Sequence, residues 1–139
     1  MDGYEVIDPQ NYPQFEEIGC CLVERRKGKM TEEEARKVLV EDVNYFGVML
    51  VYLGLVDGMV SGAIHSTAAT VRPALQIIKT RPNVKRTSGA FLMVRGSERY
   101  LFGDCAININ PDAEGLAEIA INSAITAKMF GIDPKIAML

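Results

Sequence analysis

The feature that most restricts the fold is the apolar run FGVMLVYLGLV, Phe46 to Val56, which stops abruptly at Asp57. It falls short of the roughly 20 residues that a membrane span needs, so it reads as part of a soluble, buried core. Phe46, Met49, Leu50 and Leu53 recur at helical spacing, with Asn44 placed to cap that helix and Gly54 to stop it. Immediately after it, DGMVSGA is short, glycine-bounded and uncharged beyond Asp57, the pattern of a fully buried strand.

The rest of the chain alternates in the same way. YEVID has strand character up to Pro9, and the stretch from Tyr12 to Gly28 reads as a helix closed by that glycine. Thr31 and Glu34 form a capping box ahead of a helix carrying Ala35, Val38 and Leu39 on one face. TSGAFLMVRGSERYLFGDCAININ predicts two strands joined by a tight turn at RGSE. Asp112 caps a long helix with Leu116, Ile119, Ala120, Ser123, Ala127 and Phe130 on one face, stopped at Gly131, and KIAML closes the chain as a strand. Strands alternating with helices predict an α/β layered architecture: a largely parallel sheet with one hairpin and flanking helices. A buried terminal strand would ordinarily be followed by something that covers it, so the chain reads as a piece of a longer enzyme.

Composition names no partner. The 139 residues are 48% hydrophobic and 24% charged with a net charge of −3, which argues against disorder and against general nucleic-acid affinity. The basic clusters ERRKGK (Glu24 to Lys29) and KTRPNVKR (Lys79 to Arg86) contain no interleaved aromatic residue, which counts against single-stranded nucleic acid, yet local positive charge can steer a polyanion. Cys20, Cys21 and Cys105 cannot all pair and read as reduced thiols of a cytoplasmic protein, and the acidic N-terminus carries no export signal. His65 is the single histidine, so a hydrogen-bonded structural role is expected of it rather than a metal site. Cys105 has no identifiable base partner and is expected as a small core residue, with Asn108, Asn110 and Asp112 organising the turn before the long helix.

Chemistry concentrates in DGMVSGAIHSTAATVRPALQIIKT, Asp57 to Thr80. The order is strand, small-residue turn, helix, with the helix expected to begin between Thr70 and Pro73. Free N–H groups at a helix start, hydroxyl donors and the positive end of the dipole suit a phosphate. Gly62 lets the backbone approach closely, Ser61, Ser66 and Thr67 offer hydroxyls, and Arg72 can add a bidentate contact. The residues alone leave a second reading open, in which Ser66, Thr67 and Thr70 are ordinary caps and Arg72 is a surface charge. There is no P-loop string.

VERRKGKMTEEEAR, NYFGVMLVYLGLVDGMVSGAIHSTAATVRPALQIIKT, TSGAFLMV, FGDCAIN and AEIAINSAITAKMFGIDPKIAML run nearly end to end, and together they closely resemble the phosphate acetyltransferase family. The resemblance implies acetyl transfer between coenzyme A and phosphate, with both substrates and acetyl phosphate as ligands, no prosthetic group, no metal and a homodimer in the complete enzyme. It implies that Arg26 and Arg72 assist coenzyme A or phosphate binding, with Ser66 and Thr67 at the acetyl phosphate. It also implies a chain more than twice this long, whose later half holds the Ser-Arg-Gly segment and the base, so no catalytic residue lies here and these residues alone are expected to be inactive. The fold implied is that of the isocitrate and isopropylmalate dehydrogenases, with residues 1–85 in a first domain and 86–139 opening a second. Two alternatives accompany it: a non-catalytic oligomerisation or acetyl-CoA-sensing module like the tail of large malic enzymes, and phosphate butyryltransferase.

Overall fold

The structure, a computed structural model, describes residues 3–139. They form two compact units, the first ending at Lys79 and the second running from Thr80 to Leu139.

The first unit is helical: α1 (Phe15–Arg26), α2 (Glu32–Glu41), α3 (Val43–Tyr52) and α4 (Thr67–Ile77). Glu16 and Glu17 open α1 and Arg25 and Arg26 close it, each sign at the helix end whose partial charge it complements. The helix stops as Lys27 turns left-handed at φ 51°, one residue before the expected Gly28. The capping box at α2 forms as predicted, with Thr31 Oγ1 accepting from the Glu34 N–H at 3.2 Å and the Glu34 carboxylate accepting from the Thr31 N–H at 2.8 Å. Asn44 does not cap α3. Asp42 does, accepting from the Asn44 N–H at 2.9 Å, while its own N–H ends α2 on the Val38 carbonyl. An acidic oxygen two residues upstream leaves Asn44 inside the first turn, where it is 1% exposed.

The apolar run does what its pattern requires. Tyr45, Phe46, Val48, Met49 and Leu50 of α3 are buried against Ile18 and Leu22 of α1, Ala35 and Leu39 of α2 and Ile77 of α4. Each large aliphatic chain removed from water contributes about 1.5–3 kcal/mol, and this cluster holds the unit together. Arg25 adds a directional tie: Nε donates to the Ile77 carbonyl at 2.6 Å and Nη2 to the Ile78 carbonyl at 3.2 Å, with the guanidinium 4.9 Å over the Tyr52 ring.

Several expected strands are absent. YEVID forms no strand, and Tyr4 and Val6 are exposed. DGMVSGA is not a buried strand either, since Met59 packs inward while Val60 is fully exposed and no neighbouring chain pairs with the segment. KIAML likewise has no strand partner. A strand is completed only by the hydrogen bonds of its neighbour, and among the described residues these segments have none. No parallel pair therefore exists there, and the expected largely parallel sheet is not present: the sheet observed is the hairpin of β1 (Ala90–Arg95) and β2 (Glu98–Gly103), antiparallel from Ala90 opposite Gly103 to Arg95 opposite Glu98. The architecture is mixed α and β.

In the second unit the hairpin lies beside α5 (Ala113–Met129), capped as predicted by Asp112, which accepts from the Gly115 N–H at 2.8 Å. Arg86 reaches Asp112 at 3.1 Å, and Glu118 accepts from the Lys85 and Arg86 N–H groups at 2.6 and 3.2 Å, fastening the start of the unit to the helix. The organiser of the turn before α5 is Asp104 rather than Asn110. Burial would raise the Asp104 carboxyl, but N–H donors from Ala106, Asn108 and Gly89 and the Asn108 side chain outweigh it and bring the group to about 2. Cys105 beside it is half-buried and free, not a core residue. A cavity of about 690 Å³ opens between β2, α5 and residues 132–139, bordered by Phe102, Leu116, Ile119 and Ile136.

Candidate functional site

The candidate site lies in the first unit, at the start of α4. That helix begins at Thr67, earlier than the sequence pattern suggests, and Pro73 sits inside it. Ser66 is the reason: its backbone is extended and its hydroxyl accepts from the Ala69 N–H at 3.2 Å, an N-cap that outweighs the local disruption from the proline. Thr70 Oγ1 donates back to the Ser66 carbonyl at 3.2 Å.

Immediately upstream the backbone is open. Gly62 takes φ 127°, a conformation that suits glycine and lets the chain turn sharply into the helix. Among the described residues no backbone N–H from Gly62 to Ala68 donates a hydrogen bond within the chain. The Thr67 and Ala68 amides are first-turn donors of the helix, the groups that bind anions when no side chain caps them.

Arg72 is exposed, in the second turn of α4 rather than at its entrance. It stands four residues after Ala68, on the same helix face, and side chains in helices lean toward the N-terminus, so Arg72 is within reach of the turn that presents the open amides. Arg72 forms no ion pair among the described residues. Thr67 is exposed at the first helical position. Ser66 spends one lone pair as a cap and keeps its proton to donate. Ser61 differs from these, because its hydroxyl donates to Asn44 Oδ1 at 2.5 Å. His65 is half-buried and lacks the expected hydrogen bond among the described residues.

Arg26 lies at the other end of α4. Its neighbour Arg25 holds the carbonyls of Ile77 and Ile78, so the end of α1 abuts the end of α4. Arg26 Nε is buried without a partner among the described residues. Lys79 stands in the same place: the Arg25 charge, then burial, then Lys27, Lys29 and Arg26 hold its ammonium below its ordinary value. None of these five cations forms an ion pair among the described residues. The sequence reading picked Arg26 and missed Lys79, which sits in the second basic cluster and joins the first only through the fold. α4 has 11 residues, about 16 Å at about 1.5 Å per residue, and that length separates the cation cluster from the open amides.

The described residues contain no group of three side chains able to hold a metal ion, and none of their helices is long and apolar enough to cross a membrane.

Comparison with known proteins agrees along the whole chain. Residues 1–139 match the family described as phosphate acetyl/butaryl transferase. The phosphate acetyltransferase of Bacillus subtilis (strain 168) is 63% identical over 139 residues, all of this chain and 43% of its own length. That of Staphylococcus epidermidis (strain ATCC 12228) is 61% identical over 135 residues, 97% of this chain and 41% of its own. Among solved structures, a phosphotransacetylase from Streptococcus pyogenes superposes with a TM-score of 0.89 at 66% identity, covering 99% of this chain and 42% of that one. The EutD phosphotransacetylase from Staphylococcus aureus gives 0.87 at 59% identity, over 96% of this chain and 40% of its own. The chain thus spans about two fifths of the length of these relatives. Matched from its first residue to its last, it belongs to the phosphate acetyl/butaryl transferase family.

Proposed function

We propose that these residues are the phosphate- and coenzyme A-binding part of a phosphate acetyltransferase, which interconverts acetyl-CoA plus phosphate with acetyl phosphate plus coenzyme A. The observation that carries the reading is the run of unbonded amides from Gly62 to Ala68 at the start of α4, with Arg72 one turn on along the Ala68 face. In the direction of acetyl-CoA formation, the coenzyme A thiolate adds to the acetyl carbonyl, the bond to the phosphate oxygen breaks, and phosphate departs. Open amides, the helix dipole and a planar guanidinium all favour the negative charge that collects on the departing group. Ser66 and Thr67 add hydroxyl donors.

The cation cluster of Arg25, Arg26, Lys27, Lys29 and Lys79 suits the phosphates of coenzyme A, since a polyanion there would relieve the repulsion that lowers Lys79. The span of α4 between the two places is one that an extended pantetheine arm can bridge. No residue here is assigned as the base or nucleophile. In this reading the two units belong to a two-domain fold like that of the isocitrate and isopropylmalate dehydrogenases, with residues 1–85 in the first domain and the second opening at 86, working in the cytoplasm as a homodimer.

The test is a hybrid in which these 139 residues replace the matched stretch of the Bacillus subtilis relative. The hybrid is expected to form acetyl-CoA from acetyl phosphate and coenzyme A, and the 139 residues alone to show no appreciable turnover. A folded hybrid that turns over neither substrate would sink the reading.

A further inference from the structure

We propose that Asn44 is a positioning residue that fixes the course of the Gly58–Ser66 segment, and with it the geometry of the anion cradle, through its bond with Ser61. The inference rests on the reading of the cradle given above.

The amide of Asn44 is out of place by composition: it is 1% exposed beside Tyr45, Phe46 and Val48, and its Nδ2 is buried without a partner among the described residues. Burying an amide with one end unsatisfied is unfavourable, and an apolar side chain would fill the site at lower cost. What the amide does accomplish is visible across the gap to the cradle. From Val56 to His65 no backbone group takes part in a hydrogen bond among the described residues, and the Ser61–Asn44 bond is the one polar tie between that stretch and the rest of the unit.

A second anchor lies beside it. Met59 packs against α3 at Gly47, where an added Cβ would come within 2.7 Å of the Met59 sulfur. Asn44 and Gly47 are three apart on α3 and share a face, and Met59 and Ser61, two apart in the chain, both reach that face. The segment therefore docks on one stripe of α3 through an apolar contact without direction and a hydrogen bond with it. Gly62, with φ 127°, follows Ser61 directly, so the bond sits at the last fixed point before the backbone turns into the open amides.

The test uses the 139-residue chain, labelled with nitrogen-15 and titrated with inorganic phosphate while backbone amide shifts are followed. The parent is expected to show saturable shifts across Ala63–Thr70. Asn44→Leu, which keeps size and removes both polar ends, and Ser61→Ala are each expected to weaken phosphate roughly tenfold, the factor that one net hydrogen bond supplies. The double variant should bind no more weakly than either single one, because both remove the same contact. Methyl resonances of Leu22, Leu39 and Ile77 should stay in place, which a general loosening of the core would not allow. Should Asn44→Leu fail to fold, Ser61→Ala at its exposed position carries the same comparison. Phosphate binding by Ser61→Ala within twofold of the parent overturns the positioning role alone. A parent chain that does not bind phosphate overturns the cradle reading and this inference with it.

Discussion

Arg25 should be worth more to stability than any other charged side chain of the first unit. Its guanidinium donates to two carbonyls at the end of α4, at 2.6 and 3.2 Å, and lies 4.9 Å from the centre of the Tyr52 ring. A charged donor on a carbonyl contributes about 1.5–3 kcal/mol where it is partly buried, as at Ile77. The second, exposed bond adds little beyond the favourable placement of a cation at a helix C-terminus, about 0.3–1 kcal/mol. Cation–π contact with Tyr52 brings about 0.5–1 kcal/mol at a half-exposed site. These overlap, so Arg25→Ala is expected to cost about 2–4 kcal/mol.

Substitution by lysine separates the parts. It keeps the charge near the carbonyls and the ring but loses the fork that addresses two acceptors at once, so Arg25→Lys should recover less than half of the loss. Urea unfolding followed by residue-resolved amide spectra is the appropriate assay, because the two units need not unfold together and a single midpoint would average them. Amides of α4 and the end of α1 should lose protection first. A loss below about 0.5 kcal/mol for Arg25→Ala would refute the reasoning, since that is the scale of an exposed surface charge.

Other outcomes follow from the same geometry. Thr31→Ala removes one half of the capping box and should cost about 1 kcal/mol in urea unfolding of the first unit. Arg72→Ala should weaken phosphate binding by about 1–3 kcal/mol, measured by calorimetry on the hybrid enzyme, while leaving the unfolding midpoint unchanged, because the side chain is exposed and forms no ion pair among the described residues. Gly62→Ala should strain the turn by about 1–3 kcal/mol even though nothing lies within 4 Å of the added carbon, so the effect would appear without any steric contact. Asp104, brought from 3.8 to about 2, stabilises the second unit in its ionised form: that contribution is present above the unfolded value and is lost as pH falls through the folded one. Unfolding of the second unit should therefore become easier between about pH 4 and 2, and Asp104→Asn should flatten that dependence, as circular dichroism against pH would show.

Much of the helical content could be read from sequence where a helix carries its own completion. Thr31 and Glu34 satisfy the first turn of α2 between themselves, Asp112 caps α5 by accepting from the N–H three residues on, and the apolar spacing of α3 selects the face that becomes the core. Where the reading slipped on helices, a nearer competitor decided the matter: Asp42 rather than Asn44 at α3, and Ser66 rather than Thr70 or Pro73 at α4. The candidate site was legible in its residue types, since Ser66, Thr67 and Arg72 share one stretch of chain. It was not legible in the convergence of Lys79 on Arg25 and Arg26, which lie more than fifty positions earlier and meet it only because α1 ends against α4.

Strands are a different problem, and the contrast between GAFLMV and DGMVSGA shows why. Both are short pieces beside glycine that the sequence pattern predicts as strands, yet the first becomes β1 and the second stays unpaired. The first is followed at once by a turn with Gly96 at φ 59° and a second run in register, so its partner is local and written in the same sentence of sequence. The second has a local partner for its side chains only, Met59 and Ser61 on α3, and none for its backbone. Side-chain alternation is thus sufficient to dock an extended segment on a helix, whereas a ladder needs a second chain whose position no local pattern encodes. The open backbone that results is the same property that leaves the amides between Gly62 and Ala68 without an acceptor among the described residues. What the sequence pattern misjudges as a buried strand and the anion cradle proposed above are one consequence of unpaired backbone held in place from a single side.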